Sequence, residues 1–483
     1  MTRCRAIHAA VVGAALAVPL AGCATLARPR PLPPSASRTA ELELPEPPPR
    51  PQPVGIPERL LQEGATLTLA EVVDISLQNN PATRTSYLQA RAAAAKAGSS
   101  RAPYYPTLDF TADAARASLS NESYEGVPVT SYGPELTLNY LLLDLGGRAA
   151  DAEDARLGLL AADWSHDATI QNVILTVQQT FVLYLNAKAQ FEAAQVIVTQ
   201  AETTLNAANV RHDAGVATIA EVLQARTALS QAQLQLETLR GEVQIVRGAL
   251  ATAMGLPADT PYDVGTLPAD LPLERTAQTV EQLIETARTR RPDLIAARTL
   301  TDQASVHIDA VRAEGLPTLS LQASVNRTYY EVADVDFRNN WAARLLFTWP
   351  LFTGFENRYD VEQAREEAEV ARAEADTLEQ QVILQVWTSY YGLNTATQLV
   401  RASRDLLASA EQSERVALGR YREGVGTIID LLAAQAALAD ARAQEIRARS
   451  AWFLAVAHLA RDTGVASPTL QASIAVIEEN KTP

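Results

Sequence analysis

The chain has 483 residues, of which 47% are hydrophobic, so it is long enough to bury a large core. Its formal net charge of −15 argues against nucleic acid as a partner, because a phosphate backbone needs a basic surface. The two cysteines, Cys4 and Cys23, lie at the start, so the body has no cysteine framework. No two histidines are three or four residues apart, and no phosphate loop or nucleophile elbow occurs. We therefore expect no metal, no cofactor and no enzyme activity.

Residues 1–22 form a predicted signal peptide. Positive charge precedes an apolar run at residues 9–20, which is too short to span a bilayer. The run ends in Leu-Ala-Gly-Cys, which resembles the lipobox of bacterial lipoproteins, whose cysteine is acylated. We therefore expect a lipid anchor on Cys23, and an ordinary signal peptide with a chance cysteine is the alternative. By the same resemblance, Ala24 favours sorting to the outer membrane.

A proline-rich segment follows the predicted lipid anchor. Residues 29–57 hold 11 of the 26 prolines, and such a segment is extended and semi-rigid. We expect residues 23–58 to connect the lipid to the folded body without forming a domain of their own.

The body begins with a predicted helix over about residues 69–99, and two predicted strands follow. In the strands, apolar residues alternate with polar ones, first at Leu108 and Phe110 and then at Leu136 and Leu138. Strands about ten residues long with aromatic residues near their ends are typical of transmembrane β-barrels.

A long helix is predicted next, over about residues 148–209. Apolar residues recur there at steps of seven, which favours coiled-coil packing over a globular bundle. They are Ile170, Val177, Tyr184, Phe191 and Val198.

The whole pattern then recurs at an offset near 210 residues. Residues 211–229 and 420–438 are identical at 9 of 19 positions, around the turn glycines Gly215 and Gly424. A second pair of strands is predicted from about Leu319, and a second long helix over about residues 356–421. The heptad positions of that helix are Val386, Leu393, Val400 and Leu407.

The repeat divides the body into two units of helix, strand, strand, helix and helix. We assign residues 59–256 to the first unit, 257–275 to a linker, 276–465 to the second unit and 466–483 to a tail. Four strands cannot close a barrel across a membrane, and open strand edges are forbidden in lipid. The sequence therefore indicates that several chains close the barrel together.

These features resemble the TolC family of outer-membrane efflux proteins over about residues 66–464. The duplicated order of the motifs carries the resemblance, and the lipobox resembles the family's lipoprotein branch. The motifs are Asn80-Pro81, Pro106-Thr107-Leu108, residues 142–148 (LLDLGGR), residues 349–354 (WPLFTG) and the doubled Gly-Val-x-Thr-Ile turn.

The resemblance implies a fold that is mainly α with β. Long antiparallel coiled-coil helices would form a periplasmic α-barrel, and each chain would give four strands to a trimeric twelve-stranded barrel. It implies a homotrimer in the outer membrane, which works with a periplasmic adaptor (membrane fusion) protein and an inner-membrane pump. The expected function is passive export of substrates through this channel.

The resemblance also implies a gate at the tunnel tip, where the family has acidic rings and tyrosine–acid contacts. Gly215 and Gly424 would lie at the helix turns of this tip. Asp430 falls at the acidic gate position of the second unit, Glu221 is its counterpart in the first, and Tyr421 matches a gate tyrosine.

One acidic position of the family is missing. One turn later the chain has Ala433, and Gln224 in the first unit, so a double acidic ring and strong cation selectivity are not expected. Repulsion among three copies of Asp430 favours an open tip unless other groups hold it closed. Arg420 and Arg422 are the nearby candidates for that role, and surface solvation is their alternative.

Helix capping is the competing role for the two carboxylates. Thr218-x-x-Glu221 and Thr427-x-x-Asp430 both have the form of a capping box, and the helix dipole favours an acidic first turn. The two roles are compatible, because a capping carboxylate can also face a pore.

Two other functional classes compete with an export channel. A trimeric coiled-coil structural lipoprotein explains the lipid and the heptads, but it leaves four amphipathic strands without a use. An enzyme lacks any arrangement of base, nucleophile and orienting group.

Overall fold

The computed structural model describes residues 66–118, 128–266, 271, 273, 278–331 and 337–466. The predicted signal peptide, Cys23, the proline-rich segment and the tail beyond residue 466 lie outside the described residues. Eight helices and four strands occur in the described part, and the same order of elements occurs twice.

Each unit runs helix, helix, strand, strand, helix, helix. In the first unit the elements are α1 (Leu69–Asn79), α2 (Pro81–Ser99), β1 (Thr107–Ser118), β2 (Pro128–Leu143), α3 (Gly147–Asp213) and α4 (Ile219–Ala253). In the second unit they are α5 (Val280–Arg290), α6 (Pro292–Glu314), β3 (Thr318–Tyr330), β4 (Phe337–Thr348), α7 (Glu356–Arg422) and α8 (Ile428–Asp462). The mainly α fold with two structural repeats is therefore confirmed.

The prediction of one continuous helix over residues 69–99 is wrong. The helix is interrupted at Asn80, whose backbone is extended at φ −64° and ψ 125°. Its Oδ1 accepts a hydrogen bond of 2.8 Å from the Ala82 amide, while Pro81 occupies the first position of α2. Proline disfavours helical backbone in the preceding residue and has no N–H, so the second helix must start anew.

The four strands form one antiparallel sheet in the order β1-β2-β3-β4. The strands have 12 to 16 residues, longer than the expected ten. Their registers align the predicted apolar positions on one face. One such row contains Phe110, Leu136, Val325 and Trp341. Consequently one face of the sheet is apolar and the other polar, and β1 and β4 are its edges.

The 67-residue helices α3 and α7 each span roughly 100 Å and pack against α4 and α8, which fold back along them. Val177, Val386 and Val400 are fully buried in the main apolar core, so these heptad positions are confirmed as packing positions. Phe191 is only half-buried in the single chain. None of the described helices carries an apolar stretch sufficient to cross a bilayer.

Candidate functional site: the two helix turns

The first helix turn joins α3 to α4 through Gly215. Its φ of +75° lies in the left-handed region, which glycine adopts without strain. The Gly215 amide donates to the His212 carbonyl at 2.8 Å, and the Val216 amide donates to the Arg211 carbonyl at 2.9 Å. These bonds satisfy the last carbonyls of α3 and let the chain reverse within a few residues.

The second turn, between α7 and α8, is built the same way around Gly424, with φ +74°. The Val425 amide donates to the Arg420 carbonyl at 2.9 Å. This turn also needs Gly426, because a Cβ there would lie 2.9 Å from the Arg420 Cβ. Ala217 occupies the matching position of the first turn, so the two turns are not identical.

Both candidate gate carboxylates cap the helix that follows the turn. Glu221 Oε1 accepts a hydrogen bond from the Thr218 amide at 3.3 Å. Asp430 Oδ2 accepts one from the Thr427 amide at 3.4 Å, and the Asp430 amide donates to Thr427 Oγ1 at 3.2 Å. The predicted capping role is therefore present. Asp430 is nevertheless exposed, so its charge also reaches the solvent around the turn.

Tyr421 and Arg211 join the two turns. Arg211 Nη1 donates to the Tyr421 carbonyl oxygen at 3.0 Å, and its guanidinium carbon lies 4.8 Å from the centre of the Tyr421 ring. Tyr421 is only 3% exposed and packs with Ile428 and Leu431. Burial raises the pKa of the tyrosine, the Arg211 charge lowers it, and the Glu221 charge raises it further. The phenol therefore stays neutral at physiological pH.

The Tyr421 hydroxyl has no hydrogen-bond partner within the part of the chain that the structure describes. A buried hydroxyl without a partner costs about 1–3 kcal/mol. A further hydrogen-bond donor or acceptor at this tip would therefore stabilise the Tyr421 hydroxyl.

No role for Arg211 was predicted from the sequence. Arg420 and Arg422 were the expected partners of the acidic groups, yet both are exposed, whereas Arg211 contacts Tyr421. The missed signal was the repeat itself, since Arg211 and Arg420 are identical at matching positions of the two turns.

Comparison with known proteins assigns this arrangement to a family. The family model described as "Outer membrane efflux protein" matches residues 72–256 and 283–465, which is most of the chain.

Two curated relatives are similar along most of their length. Protein CyaE of Bordetella pertussis is 28% identical over 409 residues, covering 82% of this chain and 85% of the relative. The pyoverdine export outer membrane protein OpmQ of Pseudomonas aeruginosa is 28% identical over 380 residues, covering 75% and 77%.

Solved structures share the fold. A membrane protein from Pseudomonas aeruginosa superposes with a TM-score of 0.74 at 25% identity, over 82% of this chain and 93% of that one. The outer membrane protein VceC of Vibrio cholerae superposes with a TM-score of 0.72 at 18% identity, over 82% and 96%. With its doubled helical hairpins and its four strands, the chain belongs to the outer membrane efflux protein family of export channels.

Proposed function

We propose that three copies of this chain assemble into a passive export channel of the outer membrane, with the helices in the periplasm. A periplasmic adaptor protein and an inner-membrane pump deliver the substrate and the energy, and the channel itself catalyses no reaction. Family membership supports the assembly as a whole.

The single observation that carries this proposal is the two-faced sheet with two free edges. Its apolar face suits lipid and its polar face suits a water-filled lumen. A four-stranded sheet cannot close on itself, and unpaired backbone groups are not tolerated in hydrocarbon. Three copies supply twelve strands, and each β4 then pairs with the β1 of the next copy.

A trimeric coiled-coil lipoprotein without transport activity is the alternative. Conductance separates the two, so the purified full-length protein is reconstituted into a planar bilayer. We expect discrete channel currents together with a trimer on chemical cross-linking. A cross-linked trimer that carries no current under any applied potential would favour the structural lipoprotein.

We further propose that Asp430, Glu221 and Tyr421 restrict the closed periplasmic end of the channel. Tyr421 supports this assignment because its hydroxyl is buried at the tip without a hydrogen-bond partner among the described residues. In a trimer, the exposed Asp430 carboxylate brings three negative charges toward the threefold axis.

The gate test uses Tyr421→Phe combined with Asp430→Ala, and we expect the closed state to leak. Asp430→Asn with Tyr421→Phe removes the charge while keeping a capping side chain, so it separates the gate from the cap. Thr427→Ala is the matched control, because it weakens the same cap by about 1 kcal/mol and keeps the charge. Bilayer currents equal to wild type in both double variants would contradict the gate assignment.

We propose a lipid on Cys23 as an auxiliary tether, since the barrel already holds the protein in the membrane. Cys23→Ser is then expected to slow assembly more than it reduces transport. Cell fractionation shows where the Cys23→Ser variant is located, and a variant found soluble in the periplasm would contradict the membrane barrel.

A further inference from the structure

The two edge strands of the sheet carry opposite charges on the same face. Residues paired across neighbouring strands point to the same face of the sheet. One such row on the polar face joins Thr107, Asn139, Gln322 and Arg344. On this face, edge strand β1 carries the acidic Asp113, which is an even number of residues from Thr107. Edge strand β4 carries the basic Arg344 on the same face. Both side chains are exposed in the single chain.

Each of these two charged side chains can still form hydrogen bonds at the edge of the sheet. Asp113 lies opposite Gly133, which offers it no side chain. Position 133 tolerates only glycine, since a Cβ there would lie 1.9 Å from the Arg327 carbonyl oxygen. Arg344 Nε donates to Gln322 Oε1 at 2.8 Å, which leaves both of its terminal amino groups without a partner among the described residues.

The geometry points to a charged seam between copies, in which β4 of one copy pairs with β1 of the next and Arg344 binds Asp113 of that copy. The inference rests on the proposed trimer and adds which residues select its edge-to-edge pairing. The two strands meet antiparallel, because directions alternate through the order β1-β2-β3-β4.

Barrel geometry restricts the register of this seam to two alternatives. Strands lie about 4.8 Å apart, rise about 3.4 Å per residue and tilt by about 35–45° in such barrels. A row of hydrogen-bonded partners runs perpendicular to the tilted strands and therefore does not follow a ring around the barrel. For every four strands crossed, the row is displaced from that ring by about 13–19 Å along the strands, or about four to six residues. Beyond the row through Thr107, β2, β3 and β4 each continue for four residues on their helical side (139 to 143, 322 to 318 and 344 to 348), which gives the direction of the shift.

The row that starts at Thr107 and passes through Arg344 thus reaches the next copy at position 111 or 113. With position 113 opposite Arg344, Asp113 faces it directly. With position 111 opposite, Asp113 and Asp109 are its two diagonal neighbours, and a long side chain spans either separation. On the other face, the same registers bring Phe347 opposite Leu108 or Phe110, so apolar residues meet apolar ones. A slip by one residue would turn Arg344 toward the apolar face, so the charged pair and the apolar band both exclude that slip.

Disulfide cross-linking tests the contact in the full-length protein. Asp113→Cys with Arg344→Cys is expected to give covalently linked trimers after mild oxidation, seen on a non-reducing gel. Asp113→Cys with Arg338→Cys is the matched control, because Arg338 lies six residues further along β4, about 20 Å away, and should not cross-link. Because the two registers place either Asp113 or Thr111 opposite Arg344, Thr111→Cys with Arg344→Cys is tested as well. A conducting trimer in which Arg344→Cys cross-links with neither Asp113→Cys nor Thr111→Cys overturns the seam.

Charge reversal tests its energetic role. We expect Asp113→Arg or Arg344→Asp alone to lower the yield of detergent-resistant trimer about tenfold, because symmetry repeats each like-charge contact at three seams. Combining the two changes should restore the trimer. A wild-type protein that neither trimerises nor conducts would refute the proposed function, whereas normal wild-type channels without rescue in the double variant would refute only the seam.

Discussion

Arg211 binds Tyr421 twice, through a hydrogen bond of 3.0 Å to its carbonyl oxygen and through its guanidinium lying 4.8 Å from the ring centre. A cation over an aromatic ring stabilises by about 0.5–2 kcal/mol. The contact crosses from the first structural repeat to the second. It therefore holds the end of α7 against the turn that follows α3.

We predict that Arg211→Ala loosens this connection and raises the leak current of the closed channel several-fold. Arg420→Ala removes the matching but exposed arginine of the second turn and should leave the current near its wild-type level. Single-channel recordings of the two variants, at equal trimer content, make the comparison. Equal currents in both would show that Arg211 only stabilises the fold of the tip.

The ends of α4 and α8 form the same joint in both repeats. Gly255 and Gly464 have φ of +74° and +76°. A Cβ on Gly255 would lie 2.7 Å from the Asn79 carbonyl carbon, and one on Gly464 would lie 2.9 Å from that of Arg290. The last helix of each repeat thus packs directly on the helix break at the repeat's start.

Alanine at either joint glycine should destabilise the chain by about 2–4 kcal/mol, from left-handed strain and backbone overlap together. Gly241 is the matched control, because it is exposed within α4 and a methyl group added there would meet nothing within 4 Å. Gly241→Ala should stabilise by up to about 1 kcal/mol. Thermal unfolding followed by circular dichroism gives all three changes, and a stable Gly255→Ala variant would contradict the joint.

Local periodicity explains how much of the fold the sequence could predict. Alternation at Leu136 and Leu138 and heptads at Val177 and Val386 depend on nearby residues only, so strands and long helices were predicted within a few residues. The break at Asn80 was missed although Pro81 marks it, since proline disfavours helical backbone in the residue before it. The capping of Asp430 was predicted because a capping box spans only four residues.

Contacts between distant segments were not predictable in the same way. Arg291 appeared in the sequence only as the residue before Pro292. It is in fact 2% exposed, and it donates to Gln385 Oε1 at 2.6 Å, a partner 94 residues away. Neither its burial nor its partner has a local signature, and the same holds for Arg211 at the candidate gate.

Arg291 also binds Asp293 through Nε at 3.0 Å and Nη2 at 2.5 Å. Burial acts to raise the pKa of Asp293, but the hydrogen bond and charge of Arg291 outweigh it, so the pKa is lowered overall. This carboxylate therefore stabilises the fold above its ordinary pKa of about 4, and the contribution is lost as the pH falls below that value.

We predict that Arg291→Met destabilises the chain by about 1.5–3 kcal/mol at neutral pH, because it removes the charged hydrogen bonds that the buried Arg291 donates to Asp293 and Gln385. The first-repeat counterpart is Asn80, which donates to the Ala253 carbonyl at 3.2 Å, and Asn80→Ala should cost only about 1 kcal/mol. Denaturant titrations at pH 7 compare the two. Similar losses in both variants would mean that the buried ion pair contributes no more than a neutral cap.

His166 provides a pH-dependent contribution to stability. The side chain is 6% exposed, and its Nδ1 lies 2.7 Å from Ser86 Oγ. Burial lowers the pKa of the imidazole, and the charge of Asp167 opposes this only in part. The folded chain thus keeps His166 neutral where the unfolded chain, with a pKa of about 6.5, already binds a proton. His166 therefore does not reduce the free energy of unfolding above about pH 6.5, and it lowers this free energy as the pH drops below that value.

We predict that the wild-type free energy of unfolding decreases below pH 6.5 with a contribution from His166 of up to about 1.4 kcal/mol per pH unit. His166→Gln removes the titrating group, so its stability should depend less on pH between 6.5 and 5. Ser86→Ala is the matched control: it removes the hydrogen-bond partner but keeps the imidazole buried, and burial is the main cause of the lowered pKa. This variant should lose stability at every pH and retain the wild-type slope. A His166→Gln profile as steep as wild type would assign the slope to other groups.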